Sequence, residues 1–237
     1  MPGAPSSSRI VNKPDKHGPN ISLMHRAALK HLRQADPILA RVIALAGPCK
    51  MTPDHAQAPY EALVEAVAHQ QLTGKAAQTI LGRVKALHPH RPFPSPEELV
   101  GTPDELLRSA GLSRAKIVAV KDIAAKTLSG VVPDTKGLVA LEDEAIIERL
   151  TSIRGVGRWT VEMLLIFKLG RPDVLPVDDY GVRAGFGAAY RKRGLPKPKL
   201  LLKHGEKWRP YRSVASWYMW RAIELHRAGR LHEIHAL

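Results

Sequence analysis

The sequence predicts an all-α fold, and three observations carry that prediction. No alternation of apolar and polar residues runs beyond a few positions, so a half-buried strand has no pattern to build on. Apolar residues instead recur at three- and four-residue spacing along most of the 237 residues, the period of a helix with one buried face. Between Leu150 and Arg183, two such runs flank a tight Gly155-Val156-Gly157 reversal. A hydrophobic content of 44% excludes global disorder, and the length suffices for a core in one domain or two small lobes. The net charge of +14 favours a polyanionic partner, nucleic acid or an acidic membrane surface. No apolar run approaches the roughly 20 residues that span a bilayer, and the N-terminus lacks the apolar core of a signal peptide. A single cysteine, Cys49, rules out an intramolecular disulfide and any cysteine-ligated cluster. These features describe a soluble, intracellular protein of the cytoplasm or nucleoid (the nucleus in a eukaryote).

Taken in order, residues 1–20 are rich in Pro, Ser, Gly and charge and are expected to form a flexible basic tail. Residues 21–237 are expected to form a single unit. Leu23, Ala27, Leu29 and Leu32, then Ile38, Leu39, Val42, Ile43 and Leu45, predict two short helices; Asp36-Pro37 starts the second, with proline at its first position. From Ala58, two helices are expected, broken between Gln70 and Gly74, with Thr73 capping the second. Ser95 and Thr102, each followed by proline and acids, read as helix starts. A periodic helix follows from Ser113, with Ile117, Val118, Val120, Ile123 and Ala124 inward and Arg114, Lys116, Lys121 and Lys126 on a solvated face. Residues 142–149 open the first helix of the central pair, and Trp159 to Leu169 form its second. Arg191 to Arg212 hold nine Lys or Arg and one acid, a density that commonly holds phosphates. A last helix runs from Tyr211.

Glycines at the central turn permit φ > 0 and leave backbone N–H groups uncovered where a helix N-terminus concentrates partial positive charge. Such a place binds an anion, phosphate above all, and Arg154 and Arg158 bracket it. Some twenty residues on, Leu175-Pro176-Val177 delivers adjacent carboxylates, Asp178 and Asp179, ahead of another helical run.

GVGRWT followed at this spacing by LPVDDYGVR resembles the helix-hairpin-helix DNA glycosylase superfamily, and within it most of all the 3-methyladenine DNA glycosylase II branch. The resemblance covers about residues 53–226. It implies a two-lobed helical bundle with the hairpin at about 145–169 and a cleft between the lobes; the larger bacterial members carry an N-terminal β-domain, for which the residues before Thr52 are too few and too helical, so none is expected here. It implies a monofunctional enzyme of base excision repair that flips alkylated purines out of double-stranded DNA and hydrolyses their N-glycosidic bond. By the same resemblance, Gly155, Val156, Gly157, Arg158 and Thr160 grip the DNA backbone, and Gln71 beside Gln70 fills the gap in the duplex. Trp159, Met163, Trp217, Tyr218 and Trp220 surround the base; some relatives carry a tyrosine where this chain has Met163. Asp179 is assigned catalysis, because Tyr180-Gly181-Val182-Arg183 follow it as the family pattern requires, and Asp178 is a cap or a secondary electrostatic contributor. The bland alternative makes both acids helix caps and makes Trp159 and Trp220 core residues.

Bifunctional relatives place a nucleophilic lysine just after the Gly-x-Gly turn. Here that position is Trp159, and Lys168 lies roughly two to three turns further along the helix. No strand-cleaving activity is expected, and a separate abasic-site endonuclease would process the product. No catalytic metal is expected; the hairpin could hold a monovalent cation on its carbonyls. A monomer is expected. The competing readings are a glycosylase for neutral lesions such as hypoxanthine, a non-catalytic DNA-binding scaffold, and a metal-dependent nuclease using Asp178-Asp179 with His232 and His235.

Overall fold

The computed structural model describes residues 21–70, 72 and 74–235. The expected tail over residues 1–20, Gln71 and the cap expected at Thr73 lie outside the described residues. Every described element is helical, with no strand among them.

Helices α1 (Ile21–Ala35) and α2 (Pro37–Ala46) meet at Asp36. One oxygen of Asp36 accepts the N–H groups of Ile38 and Leu39 at 3.1 and 3.2 Å, which satisfies two donors that a helix start leaves unpaired. Helices α3 (Pro59–His69) and α4 (Gly74–Ala86) follow, then α5 (Pro96–Gly101) and α6 (Asp104–Ser109). Ser95 and Glu98 form a reciprocal capping box at α5. Thr102 starts nothing: it closes α5, with its hydroxyl donating to the Glu98 carbonyl at 2.6 Å, and Pro103 precedes α6.

Helix α7 (Arg114–Leu128) begins at Ser113 as expected, which caps it, but two of its residues face otherwise than read. Val118 is exposed. Lys116 is not on a solvated face: its Nζ donates to the carbonyls of Ala68 at 2.7 Å and Gln70 at 2.8 Å, capping the end of α3 with a cation where the helix dipole favours one. A short α8 (Thr135–Val139), which the sequence pattern did not disclose, precedes α9 (Asp143–Thr151) and α10 (Arg158–Phe167). Then come α11 (Tyr180–Ala189), α12 (Pro198–Gly205) and α13 (Arg212–Arg227).

The main packing partners fall into two groups. Helix α7 packs on α3, α5 and α6, and α10 packs on α3 and α9; α13 packs on α11 and α2, and α1 on α2. One apolar cluster runs through both, from Leu32 and Leu39 to Leu63, Ile123, Leu165, Phe186 and Met219. Truncating any one of these leucines to alanine costs about 2–5 kcal/mol by loss of transfer energy and creation of a cavity.

Two polar devices fix the loops that deliver the site. The second oxygen of Asp36 accepts Tyr190 Oη–H at 2.5 Å and Trp208 Nε1–H at 2.9 Å, with His204 Nε2 at 3.0 Å and Lys207 Nζ at 3.1 Å. That buried carboxylate ties the first helical pair to α11 and α12. Arg212 forks onto Asp173 at 2.7 and 3.0 Å, and the Ser213 hydroxyl accepts Val174 N–H at 3.0 Å while donating to the Arg171 carbonyl at 2.6 Å. The start of α13 thereby pins the loop that ends in Asp178-Asp179.

Candidate active site

The turn between α9 and α10 uses its two glycines differently. Gly155 sits at φ +75°, and a Cβ there would lie 2.6 Å from the Cβ of Ala119, so conformation and space both require glycine. Gly157 is extended, at φ −92°, and does not use the positive-φ freedom expected of it. It caps α10 with nothing within 4 Å of a would-be Cβ, and the first-turn amides of α10 have no carbonyl ahead of them within the helix. The first intrahelical bond of α10 comes only at Val161 N–H to the Gly157 carbonyl, 3.2 Å.

Several residues expected at the DNA backbone have other partners for their side chains. Val156 is buried and its N–H donates to the Ile153 carbonyl at 3.1 Å. Arg158 is committed to carboxylates, bridging both oxygens of Glu144 at 2.5 and 3.1 Å and Glu162 at 3.2 Å, whereas Arg154 stays exposed. Thr160 is buried, and its hydroxyl accepts the Gln70 amide at 3.2 Å. That amide also donates to the Gly155 carbonyl at 3.0 Å. Gln70 therefore clamps α3 to the hairpin, with its side chain and its carbonyl both engaged.

Asp179 caps α11 and is only 9% exposed. Its Oδ1 accepts Val182 N–H at 2.7 Å and Trp220 Nε1–H at 2.8 Å; its Oδ2 accepts Trp159 Nε1–H at 2.7 Å. All three are donors, which suits an acceptor-only carboxylate. Asp178, its neighbour, is exposed. The structure thus separates the two acids: one is held by two indoles at a helix start, the other faces solvent.

The aromatic wall follows from helical spacing. Trp159, Met163 and Phe167 recur every four residues on one face of α10, with Trp159 40% and Phe167 39% exposed. Phe167 stacks on Trp220 with ring centres 5.6 Å apart and planes 29° from parallel. Phe167 was missed in the sequence, although its position eight residues after Trp159 was the available signal. Met163 and Phe167 also line a slot of about 170 Å³ between α3 and α10, together with Ala62, His69 and Lys168. Lys168 is itself buried, its Nζ donating to the Asp54 carbonyl at 2.9 Å, and burial lowers its pKa.

Trp220 reaches Asp179 because α11 and α13 approach closely. A Cβ on Gly185 would lie 1.8 Å from the Met219 carbonyl oxygen, and one on Gly181 would lie 2.7 Å from Trp220 Cδ1. Tyr218, by contrast, stands apart from this aromatic wall. It is fully buried and its hydroxyl donates to the Gly47 carbonyl at 2.9 Å, since it occupies the core-facing side of α13. Trp217 packs edge-on against Tyr218 with the Arg221 guanidinium 5.1 Å over its ring, so that side is occupied too.

On the opposite face of α10, Glu162 is buried. Its carboxyl is pushed up to about 7 by burial, against the lowering effect of Arg158 and with help from Asp178 and Glu144. Among the described residues, no group of three or more His, Cys, Asp or Glu is placed to hold a metal ion, so Asp178-Asp179 and His232 form no such set. No helix among them is long and apolar enough to cross a membrane.

Residues 64–210 match the family model of the HhH-GPD superfamily base excision DNA repair proteins. The chain is 42% identical over 198 residues to DNA-3-methyladenine glycosylase 1 of Schizosaccharomyces pombe, which covers 82% of this chain and 86% of that protein. The solved structure of the S. pombe 3-methyladenine DNA glycosylase in complex with abasic DNA superposes with a TM-score of 0.76, covering 82% of this chain and 95% of that one. That of the DNA-3-methyladenine glycosidase from Bacillus halodurans gives 0.78 at 36% identity, covering 89% and 96%.

Proposed function

This chain belongs to the HhH-GPD superfamily of base excision DNA repair proteins, and from that premise we propose that Asp179 directs the hydrolysis of the N-glycosidic bond of alkylated purines. The protein is a DNA glycosylase of the 3-methyladenine type; its partner is DNA, and the substrate in this reading is a duplex carrying 3-methyladenine or 7-methylguanine. The observation that carries the assignment is the cradle of two indole N–H groups around a carboxylate at a helix start.

A purine methylated at N3 or N7 already bears a positive charge. Its N-glycosidic bond breaks with the electron pair passing to the base, which leaves neutral, and positive charge builds on the deoxyribose. The Asp179 carboxylate lies against that charge and orients the attacking water, whose proton passes to Asp179 or solvent as the new C–O bond forms. The exposed Trp159 and Phe167 and the half-buried Trp220 offer the cationic base an attraction of about 0.5–2 kcal/mol. The second position after the Gly-x-Gly turn holds Trp159, and the Lys168 amine is engaged with the Asp54 carbonyl, so neither of these positions offers a free amine for a Schiff base. In this reading the product is an abasic site handed to a separate endonuclease by a monomeric enzyme. In this reading the first-turn amides of α10 take the DNA phosphate.

The test is base release from methylated duplex DNA by wild type, Asp179→Asn and Asp178→Asn. Wild type should release 3-methyladenine, and Asp179→Asn should lose on the order of 100-fold or more in rate while still binding abasic duplex. Asp178→Asn should stay within about threefold of wild type. Loss in the Asp178 variant alone would transfer the role to that residue.

A further inference from the structure

The basic segment after α11 has no part in the chemistry above, yet its placement is specific. Arg191, Lys192, Arg193, Lys197, Lys199 and Lys203 are all exposed, and none forms an ion pair with a described acid. The neighbouring arginines 158, 209 and 212 are all paired. Two clefts border the segment. A groove of about 430 Å³ runs from Tyr180, the residue after Asp179, over Ala184 and Ile223 to Arg191 and Lys192. On its other side, Leu202 of α12 shares a cavity of about 610 Å³ with Arg158 and Glu144 of the hairpin. The unpaired Arg191 and Lys192 therefore stand at one end of a groove whose other end is Tyr180, next in the chain to the carboxylate that would meet the sugar.

A second observation singles out Arg191. It is the one non-glycine residue with positive φ among those described, at +51°. Lys192 N–H closes onto the Gly187 carbonyl at 2.9 Å and Arg191 N–H onto that of Ala188 at 3.4 Å, the helix ending in which glycine is the usual left-handed residue. An arginine placed there at the expense of backbone conformation is the kind of local rule-breaking that accompanies function.

We infer that Arg191, Lys192 and Arg193, with Lys197 and Lys199 behind them, form a second backbone anchor. They hold phosphates of the duplex flank that leaves the active site past Tyr180. This inference rests on the glycosylase reading for the position of the DNA. It adds to that reading a surface that lengthens the footprint to one side of the lesion. Unpaired exposed cations next to a duplex bind by releasing counterions, and that leaves a measurable salt signature.

The test compares wild type, Arg191→Gly and the triple variant Arg191→Gly/Lys192→Ala/Arg193→Ala in binding abasic duplex across NaCl concentration. With each lost contact worth about 0.9 in the slope of log K against log[salt], the triple variant should be shallower by roughly two to three. The difference should appear with duplexes extended on one side of the lesion and vanish with those extended only on the other. Arg191→Gly alone should raise Tm by roughly 1–3 °C, because glycine relieves the left-handed backbone, while binding several-fold more weakly. A residue that merely ended a helix would gain the stability without losing the affinity. Parallel salt slopes for wild type and triple variant would overturn the anchor and leave the patch to an acidic protein partner. Binding is read without turnover, so failure of the glycosylase reading shows separately, as absence of base release by wild type.

Discussion

The two indole N–H groups on Asp179 give its carboxylate a fixed plane before any DNA arrives. A hydrogen bond to a charged group contributes about 1.5–3 kcal/mol, and more is lost when a buried partner is left unsatisfied. Trp220 serves twice, since the ring that donates to Asp179 also stacks on Phe167. Trp220→Phe separates those roles by keeping an aromatic face and deleting the donor. Single-turnover base release should fall roughly 10- to 100-fold, with affinity for abasic duplex within a few-fold of wild type. An unchanged rate would mean that the indole only packs. The sequence pointed to Trp159, Trp220 and Asp179 separately; that the two rings donate to the same carboxylate from α10 and α13 is a matter of long-range geometry that spacing does not carry.

At the scale of elements, the site depends on how closely α11 and α13 cross. Gly181 and Gly185 lie one turn apart on the face of α11 that meets α13, and the backbone of α13 fills the space where a Cβ of Gly185 would be. Gly185→Ala has no flexible neighbour to displace, because the obstruction is the Met219 carbonyl. The helices must separate, and overpacking of this kind costs about 1–3 kcal/mol or more. Thermal unfolding should show a Tm lower by roughly 5–10 °C, with base release reduced even in molecules that remain folded, since Trp220 moves with α13. A Tm equal to that of wild type would show that the crossing tolerates a wider spacing. YGVRAGFGAA was legible as a helix, but which of its glycines faced a partner helix was not, since all three look alike in a periodic pattern.

At the scale of the whole molecule, Glu162 couples stability to pH. Its folded-state pKa, about 7, is raised above the usual carboxylate value near 4.5 by burial. The native state therefore retains a proton that the unfolded chain releases, and stability that is full below about pH 4.5 is lost as pH rises to about 7. Glu162→Gln cannot ionise and should flatten that part of the Tm–pH profile. It should match wild type near pH 4.5 and exceed it above pH 7, by on the order of 3 kcal/mol at most, less whatever the Arg158 pairing contributes. Wild-type and variant profiles that stay parallel from pH 4.5 to 8 would show that the carboxyl is not shifted.

Local chemistry decided much of this protein. Helical periodicity, caps at Asp36, Ser95 and Ser113, and the Gly-Val-Gly turn followed by Asp179 act within a few residues of one another, so the all-helical fold, the hairpin and the family resemblance could be read directly. Interactions between distant residues were not legible. Tertiary structure alone decided that Gln70 clamps the hairpin instead of standing free, that Tyr218 belongs to the core while Phe167 joins the aromatic wall, and that Asp36 gathers Tyr190, His204 and Trp208. The physical reason is common to all of them. A side chain's partner is set by which helix face lies opposite it, and that depends on the packing of elements far apart in the chain.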